Sequence, residues 1–214
     1  MRSFTIISRA MLSAIYFLPL EMYDWFKNTV LVGKNAVKII IAFTAIAAIA
    51  GFISISNWNA DTAKAKIRFD IGGPFGIVHG SFSGLSTTIV FNENDLGSSS
   101  ILANIQTGTV STGIGMRNKD LREKEEWLDT RKYPMISFHS MKIVKTSTGY
   151  KAIGNLTMKS ITKPVEIPFT FTARGNEGIF NGKFDITRRD FNVGKEGGSV
   201  AGIMTIMLEV PVKK

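Results

Sequence analysis

Apolar and polar residues alternate with a period of two along most of the chain after residue 64. In the segment AKIRFDI, residues 65–71, every second residue is apolar and the residues between them are charged. Successive side chains of a β-strand point to opposite faces, so this pattern predicts a strand with one apolar face and one solvated face. The same period predicts strands at residues 65–71, 75–91, 100–111, 135–145, 150–159, 165–174, 179–187 and 199–212.

Short turn sequences separate several of these eight segments. Gly72-Gly73-Pro74, Ser147-Thr148-Gly149 and the stretch from Gly175 to Gly178 are rich in turn-forming residues. Such short links join antiparallel neighbours. We therefore expect an all-β protein with an eight-stranded antiparallel barrel, because closure removes exposed strand edges. A two-sheet sandwich is the main alternative.

The alternation breaks between residues 111 and 135. Arg117 to Leu128 contains helix formers, no Gly or Pro, and the apolar residues Leu121, Trp127 and Leu128. This composition predicts a short helix laid across one end of the barrel. The helix would either close a packed core or gate a cavity.

The numbers of phenylalanine and glycine residues bear on whether the barrel interior is filled by side chains or contains a cavity. The chain has 15 Phe but 4 Tyr, and Gly80, Gly84, Gly154 and Gly182 fall inside predicted strands. Glycines in a small barrel relieve tight coiling or leave space inside, and an eight-stranded barrel can hold one small ligand. A core filled by the phenylalanines and a ligand cavity both fit this pattern.

The first 56 residues have a different composition. Residues 39–55 are uncharged and mostly apolar, Lys27, Lys34 and Lys38 precede them, and Asp61 follows. We divide the chain into a cytoplasmic or interfacial segment (1–36), a transmembrane anchor or signal-peptide helix (37–56) and the barrel (57–214). Either form of the helix places the barrel outside the cytoplasm, in the periplasm if the cell has one. The apolar run 10–20 is too short to span, and translation from Met22 is an alternative start.

The sequence offers no convincing catalytic or metal site. It has no Cys, and its two histidines, His79 and His139, have no carboxylate three or four residues later. The formal charge is +9, but the basic residues are spread along strands without a nucleic-acid-binding module. We therefore expect no enzyme activity, no metal, no cofactor and no nucleic-acid partner.

Several short motifs resemble those of the YceI-like lipid-binding family, in the same order and at the same spacing. They lie at Val78–Phe82, at Thr112–Leu121, at Leu128–Ser140, at Gly154–Val165 and at Arg188–Phe191. The resemblance runs from about Trp58 to the carboxyl end. The chain departs from the family where Asn118 and Asp120 replace an Asp and a His, and where Ser160 and Asn192 replace glycines.

This resemblance implies a lipocalin-like barrel that binds a long-chain isoprenoid lipid, of the polyprenyl or quinone type, in its interior. The predicted partners are that lipid and a membrane through the N-terminal helix, and a second copy of the chain remains a candidate. A structural envelope protein with a filled core and an enzyme acting on an isoprenoid are the alternatives. We predict Arg117 and Arg188 as contacts for a head group. The predicted lining residues are Ile67, Phe69, Phe82, Phe138, Leu156, Ile167, Phe169, Phe171, Phe184 and Ile206.

Overall fold

The computed structural model describes residues 57–214. The predicted segments 1–36 and 37–56 lie outside the described residues, so their roles stay predictions. Within residues 57–214, no helix has both the length and the apolar character that a bilayer crossing requires.

The described chain consists mainly of antiparallel strands. One α-helix in this part, α1 (Gly115–Glu123), lies between the fifth and sixth strands. The strands are β1 (Asn57–Ala60), β2 (Lys66–Gly73), β3 (Gly76–Phe82), β4 (Leu85–Val90), β5 (Ser100–Gln106), β6 (Met135–Thr146), β7 (Gly149–Met158), β8 (Ile161–Arg174), β9 (Glu177–Thr187) and β10 (Ile203–Lys213).

The strands close into a barrel. The sheet has the order β1-β4-β5-β6-β7-β8-β9-β10-β2-β3, and β1 also pairs with β10. Both β1 and β2 pair with β10, so they are two parts of one interrupted strand, and β3 and β4 form a second one. Counted in this way, the barrel has eight strand positions. The predicted closed antiparallel barrel is confirmed, and the sandwich alternative is wrong.

The interruptions are corrections to the predicted strands. The predicted strand 75–91 is divided at Ser83 and Gly84, because Gly84 has a φ of +71° that a strand cannot continue through. Thr109 stabilises the backbone at this break, since its hydroxyl donates a hydrogen bond to Ser83 O at 2.7 Å. The short strand β1 was not predicted, because four residues are too few to show a period.

The predicted helix is also corrected. It was expected over 117–128 but spans Gly115–Glu123, and Trp127 and Leu128 lie in the turns that follow. The Lys124 amide still donates to Asp120 O at 3.1 Å, but Lys124 itself has an extended backbone and ends the helix. The apolar side chains that the prediction placed on one helix face are therefore supplied by a helix and a turn together.

The barrel has two different ends. At one end, which we call the mouth, lie the β2–β3 turn, the β5–β6 connection with α1, the β7–β8 turn and the β9–β10 connection. At the other end, which we call the floor, lie the β4–β5 connection and the β6–β7 and β8–β9 turns. A cluster of buried apolar residues extends along the interior between these ends.

Candidate ligand-binding cavity

The barrel interior contains a cavity of about 760 Å³. This volume lies in the range of pockets that bind small molecules, about 300–1,000 Å³. Its walls are the inward-facing residues of the strands, such as Ile101, Ala103 and Ile105 of β5. The period of two in the sequence produces this wall, since every second residue of a strand faces inward.

The cavity is mainly apolar, with one hydroxyl in the wall and several polar residues toward the mouth. Thr87 is a polar wall residue, and its hydroxyl donates to Leu102 O at 2.7 Å. Three of the charged lining residues, Arg117, Asp120 and Arg188, belong to α1 or to the turn after β9, at the mouth, and the fourth, Arg68 on β2, has an exposed side chain. The cavity therefore suits a molecule with a long apolar part and at most one polar end.

Aromatic rings close the floor. Phe91, 1% exposed, lies at the centre of this group, and its ring centroid is 5.0 Å from that of Tyr150 and 5.1 Å from that of Phe171. The Trp58 ring contacts Phe171 at 5.0 Å, and its indole N–H donates to Phe91 O at 3.1 Å. These edge-to-face contacts are favourable beyond the area that they bury.

A polar pair borders this floor. The Tyr150 hydroxyl donates to Glu93 Oε1 at 2.6 Å. The hydrogen bond to the Glu93 carboxylate, together with burial, raises the pKa of Tyr150 to about 12. The neutral tyrosine is thus favoured, and the floor carries no tyrosinate at physiological pH.

Nine of the ten predicted lining residues lie in the cavity wall: Ile67, Phe69, Phe82, Phe138, Leu156, Ile167, Phe169, Phe184 and Ile206. Phe171 is the exception. Its side chain points into the aromatic floor, where its ring lies 4.4 Å from that of Phe180. Whether these residues contact a lipid is a separate question, and that role stays a prediction.

Phe91 and Trp58 are the residues that sequence reasoning missed. Phe91 follows β4 in a connection, and Trp58 lies in a strand of four residues. Phe91 is the last residue of the predicted strand 75–91, two residues after Ile89, so alternation could have placed it on the inward face. Trp58 precedes the periodic region, where no alternation assigns a face.

The two predicted head-group residues differ in their surroundings. Arg117 is half-buried on α1 and lines the cavity at its mouth. Arg188 is 2% exposed, and its guanidinium donates to the carbonyl oxygens of Val193, Val200 and Ala201. Burial lowers the pKa of Arg188 from its usual value. The structure therefore places Arg188 as a support for the β9–β10 connection, with most of its donors engaged.

Lys159 ties other parts of the mouth together. Its ammonium group donates to Glu125 O at 2.6 Å and to Asn192 O at 2.8 Å. It also lies 5.9 Å from the centre of the Tyr133 ring. Desolvation lowers the pKa of Lys159. This side chain links the β7–β8 turn to the connections on both sides of it.

The strand glycines have three different surroundings. Gly80 lies directly under the Phe69 ring, and Gly154 lies against the backbone of His139 beside a bulge in β6. A side chain at either position would collide with its neighbour, so these glycines permit close packing. Gly182 lines the cavity. The predicted role of leaving space inside fits Gly182 best.

The described residues contain no group of three or more His, Asp or Glu side chains placed to hold a metal ion. His79 lies on the exterior and pairs with Asp70, with 2.7 Å between Nδ1 and Oδ1. His139 is exposed on β6. The two histidines of this region are thus surface residues outside any cluster.

Comparison with known proteins adds to this geometry. Residues 58–213 match the family model described as the YceI-like domain. A UPF0312 protein of Yersinia enterocolitica is 30% identical over 177 residues, which are 79% of this chain and 90% of that protein. A UPF0312 protein of Yersinia pestis is 29% identical over 177 residues, again 79% of this chain and 90% of that protein.

Solved structures show the same fold. BcnA of Burkholderia cenocepacia matches with a TM-score of 0.67 and 26% identity, over 72% of this chain and 99% of BcnA. A polyisoprenoid-binding domain from Saccharophagus degradans, implicated in plant cell wall breakdown, matches with a TM-score of 0.56 and 11% identity. The match covers 75% of this chain and 99% of that domain. The family match covers nearly the whole barrel, from the first strand to the last. This chain belongs to the YceI-like family.

Proposed function

We propose that this protein binds a long-chain isoprenoid lipid, of the polyprenyl or quinone type, in the barrel cavity. The observation that carries this proposal is the shape and chemistry of the cavity. Most of its wall is apolar, aromatic rings close it at the floor, and Arg117, Asp120 and Arg188 lie at the mouth. An apolar chain can lie along the barrel with its polar end among Arg117 and Asp120.

The energetics of burial support a lipid without a dedicated polar site. Each buried methylene group contributes about 0.8 kcal/mol, so roughly ten of them supply about 8 kcal/mol. That is the free energy of a complex with a Kd of about 1 μM, before the cost of ordering the chain. The fold relationship to the polyisoprenoid-binding domain of Saccharophagus degradans favours this ligand class.

A filled-core envelope protein is less consistent with this interior, since about 760 Å³ remain unfilled by side chains. An enzyme acting on an isoprenoid would need a general acid, a base or a metal facing the ligand. Asp120, the carboxylate that lines the cavity, is ion-paired with Lys124 at 2.9 Å. A binding or carrier role therefore suits the site better than catalysis.

A cavity-filling variant tests the binding proposal. Ala103→Phe adds a ring on the inward face of β5, whereas Leu102→Phe adds the same residue to its exposed neighbour. We expect added polyprenyl compounds to raise the melting temperature of the wild type and of Leu102→Phe, because a ligand that binds the native state stabilises it by mass action. Ala103→Phe should lose most of this shift. A wild-type melting temperature that polyprenyl compounds leave unchanged would reject the proposal.

We further propose that the barrel works outside the cytoplasm, in the periplasm if the cell has one, either held at the inner membrane by residues 37–56 or released after signal cleavage. The apolar run and the preceding lysines motivate this location. A reporter enzyme that is active only outside the cytoplasm, fused after Lys214, should be active. A fusion that is well expressed but inactive would contradict the location.

A further inference from the structure

The mouth carries apolar side chains that face solvent. Phe75 in the β2–β3 turn is fully exposed, and Ile77 is 66% exposed. In the β5–β6 connection, Ile114 and Met116 at the start of α1 are 49% and 80% exposed. Phe75, Ile77 and Ile114 also line the cavity, so their apolar surface is continuous with its interior. We call these four residues the rim.

This exposure is concentrated at one end of the barrel. Of the eight large apolar side chains that are exposed within residues 57–214, six lie at the mouth: the four rim residues, Met135 at the start of β6 and Ile203 at the start of β10. Single exposed apolar residues are common on soluble proteins, but a contiguous group marks a surface that contacts another molecule. The rim is such a group, because three of its four residues line the same cavity at its mouth.

The charge of these segments indicates the partner. Residues 72–78 and 199–203 carry no charged side chain. In residues 111–123, Arg117, Lys119 and Arg122 outnumber Asp120 and Glu123, and Asp120 is paired with Lys124 at 2.9 Å. Lys119 lies 4.0 Å from Glu123 on the exposed surface of α1, a separation that leaves its charge largely available. Apolar side chains flanked by cations are the pattern of proteins that insert shallowly into anionic lipid surfaces.

We propose that the rim docks on an anionic bilayer, with the mouth facing the lipid, so that the ligand passes between bilayer and cavity without crossing water. This inference rests on the proposed function, because the ligand class determines why an apolar opening should meet a membrane. Phe75 and Met116 enter the interfacial region, while Arg117 and Lys119 lie at the level of the lipid phosphates. A polar rim would force every methylene group of the ligand through water.

The absence of cysteine in the chain permits a site-specific test. In the full chain, Ile77→Cys places an environment-sensitive fluorophore on the rim, and Thr148→Cys places it on an exposed turn at the floor. Both proteins are combined with vesicles of phosphatidylcholine alone or with phosphatidylglycerol added. Any other attachment of the chain to the vesicles is the same in both samples.

We expect the rim label to shift to shorter wavelength and to be quenched by a lipid-borne quencher, more strongly with phosphatidylglycerol. The floor label should report water throughout. Met116→Ser, at a rim position outside the cavity wall, should reduce the quenching of the rim label severalfold. A rim label that reports water as the floor label does would overturn the docking proposal. Burial of the rim label without vesicles, growing with protein concentration, would assign the rim to a second copy of the chain and equally overturn it.

Native mass spectrometry of the same labelled samples separates this inference from the proposed function. Bound lipid together with a water-exposed rim label rejects the docking alone. A docked rim in protein that neither carries nor takes up polyprenyl lipid supports the docking and rejects the proposed function.

Discussion

Four described non-glycine residues, among them Ser160 and Asn192, occupy backbone conformations that favour glycine. Ser160 has a φ of +62° and Asn192 a φ of +53°. These are the positions at which the chain departs from the glycines of the family motifs. Asn tolerates the left-handed region better than Ser does, so Ser160 carries the larger strain. With Lys159, Ser160 forms the two-residue turn between β7 and β8, which requires positive φ at both positions.

Replacing Ser160 by glycine should stabilise the protein. The left-handed conformation costs a residue with a Cβ about 1–2 kcal/mol, and the greater freedom of glycine in the unfolded chain returns part of this. We expect Ser160→Gly to raise the free energy of unfolding by about 0.5–1 kcal/mol, measured by thermal or denaturant unfolding. Ser160→Ala, the control, keeps the strain and should show no gain. Equal stability of the two variants would contradict this explanation.

Arg188 shows how a sequence motif can have a structural role. Its guanidinium joins the end of β9 to three carbonyl oxygens of the β9–β10 connection and lies 5.6 Å from the centre of the Trp127 ring. Lysine cannot reproduce this fork of donors. We expect Arg188→Lys to lower the free energy of unfolding by about 2–4 kcal/mol and to expose residues 193–201 to protease.

The same variant distinguishes the two roles considered for Arg188. If Arg188 contacts the head group, Arg188→Lys should weaken ligand binding and leave the stability of the ligand-free protein unchanged. Unaltered unfolding of ligand-free Arg188→Lys, with weaker binding, would restore the head-group role and contradict the structural one.

At the scale of elements, β8 contributes to both the cavity and the floor. Phe169 faces the cavity and also contacts Tyr150 at 5.5 Å, whereas the Phe171 ring lies within the floor, between Trp58 and Phe180. Two residues that share one face of one strand thus have different neighbours. This difference provides a matched pair for testing ligand contact.

Truncation of either ring should destabilise the ligand-free barrel, by about 3–5 kcal/mol where the ring is fully buried. In lipid-loaded protein, flexible methylene groups can refill the space left by Phe169→Ala but do not reach that left by Phe171→Ala. We expect loading to recover part of the loss for Phe169→Ala and little of it for Phe171→Ala, measured by unfolding of stripped and loaded samples. Equal recovery would show that the floor does not separate Phe171 from the ligand.

The sequence predicted the elements that depend on local pattern. Period-two alternation located the strands and assigned nine of ten chosen residues to the cavity wall, because a face is a local property of a strand. It did not predict β1, whose four residues are too few to show a period, or the break at Gly84, where the contact from Thr109 comes from a residue distant in the sequence. Alternation did not distinguish Phe171 from Phe169, because it identifies the inward face of β8 but not the depth at which the floor begins.

On the scale of the whole barrel, the strands enclose an apolar cavity whose mouth carries the exposed apolar residues of the rim. Its eight strand positions close the wall, aromatic rings close the floor, and α1 with its following turn covers part of the mouth. The links that Lys159 and Arg188 make hold the connections of the mouth in place. Binding of a long apolar ligand is the central claim that this architecture supports.

Native mass spectrometry of the full chain, purified under conditions that retain bound lipid, tests this claim most directly. We expect the wild type to carry a mass excess that dissociates as a long-chain lipid, and we expect Leu102→Phe to carry the same excess. Ala103→Phe should carry little of it, because the new ring occupies the cavity. A wild type that shows only the mass of the protein, and that gains no mass when polyprenyl compounds are added, would contradict the claim.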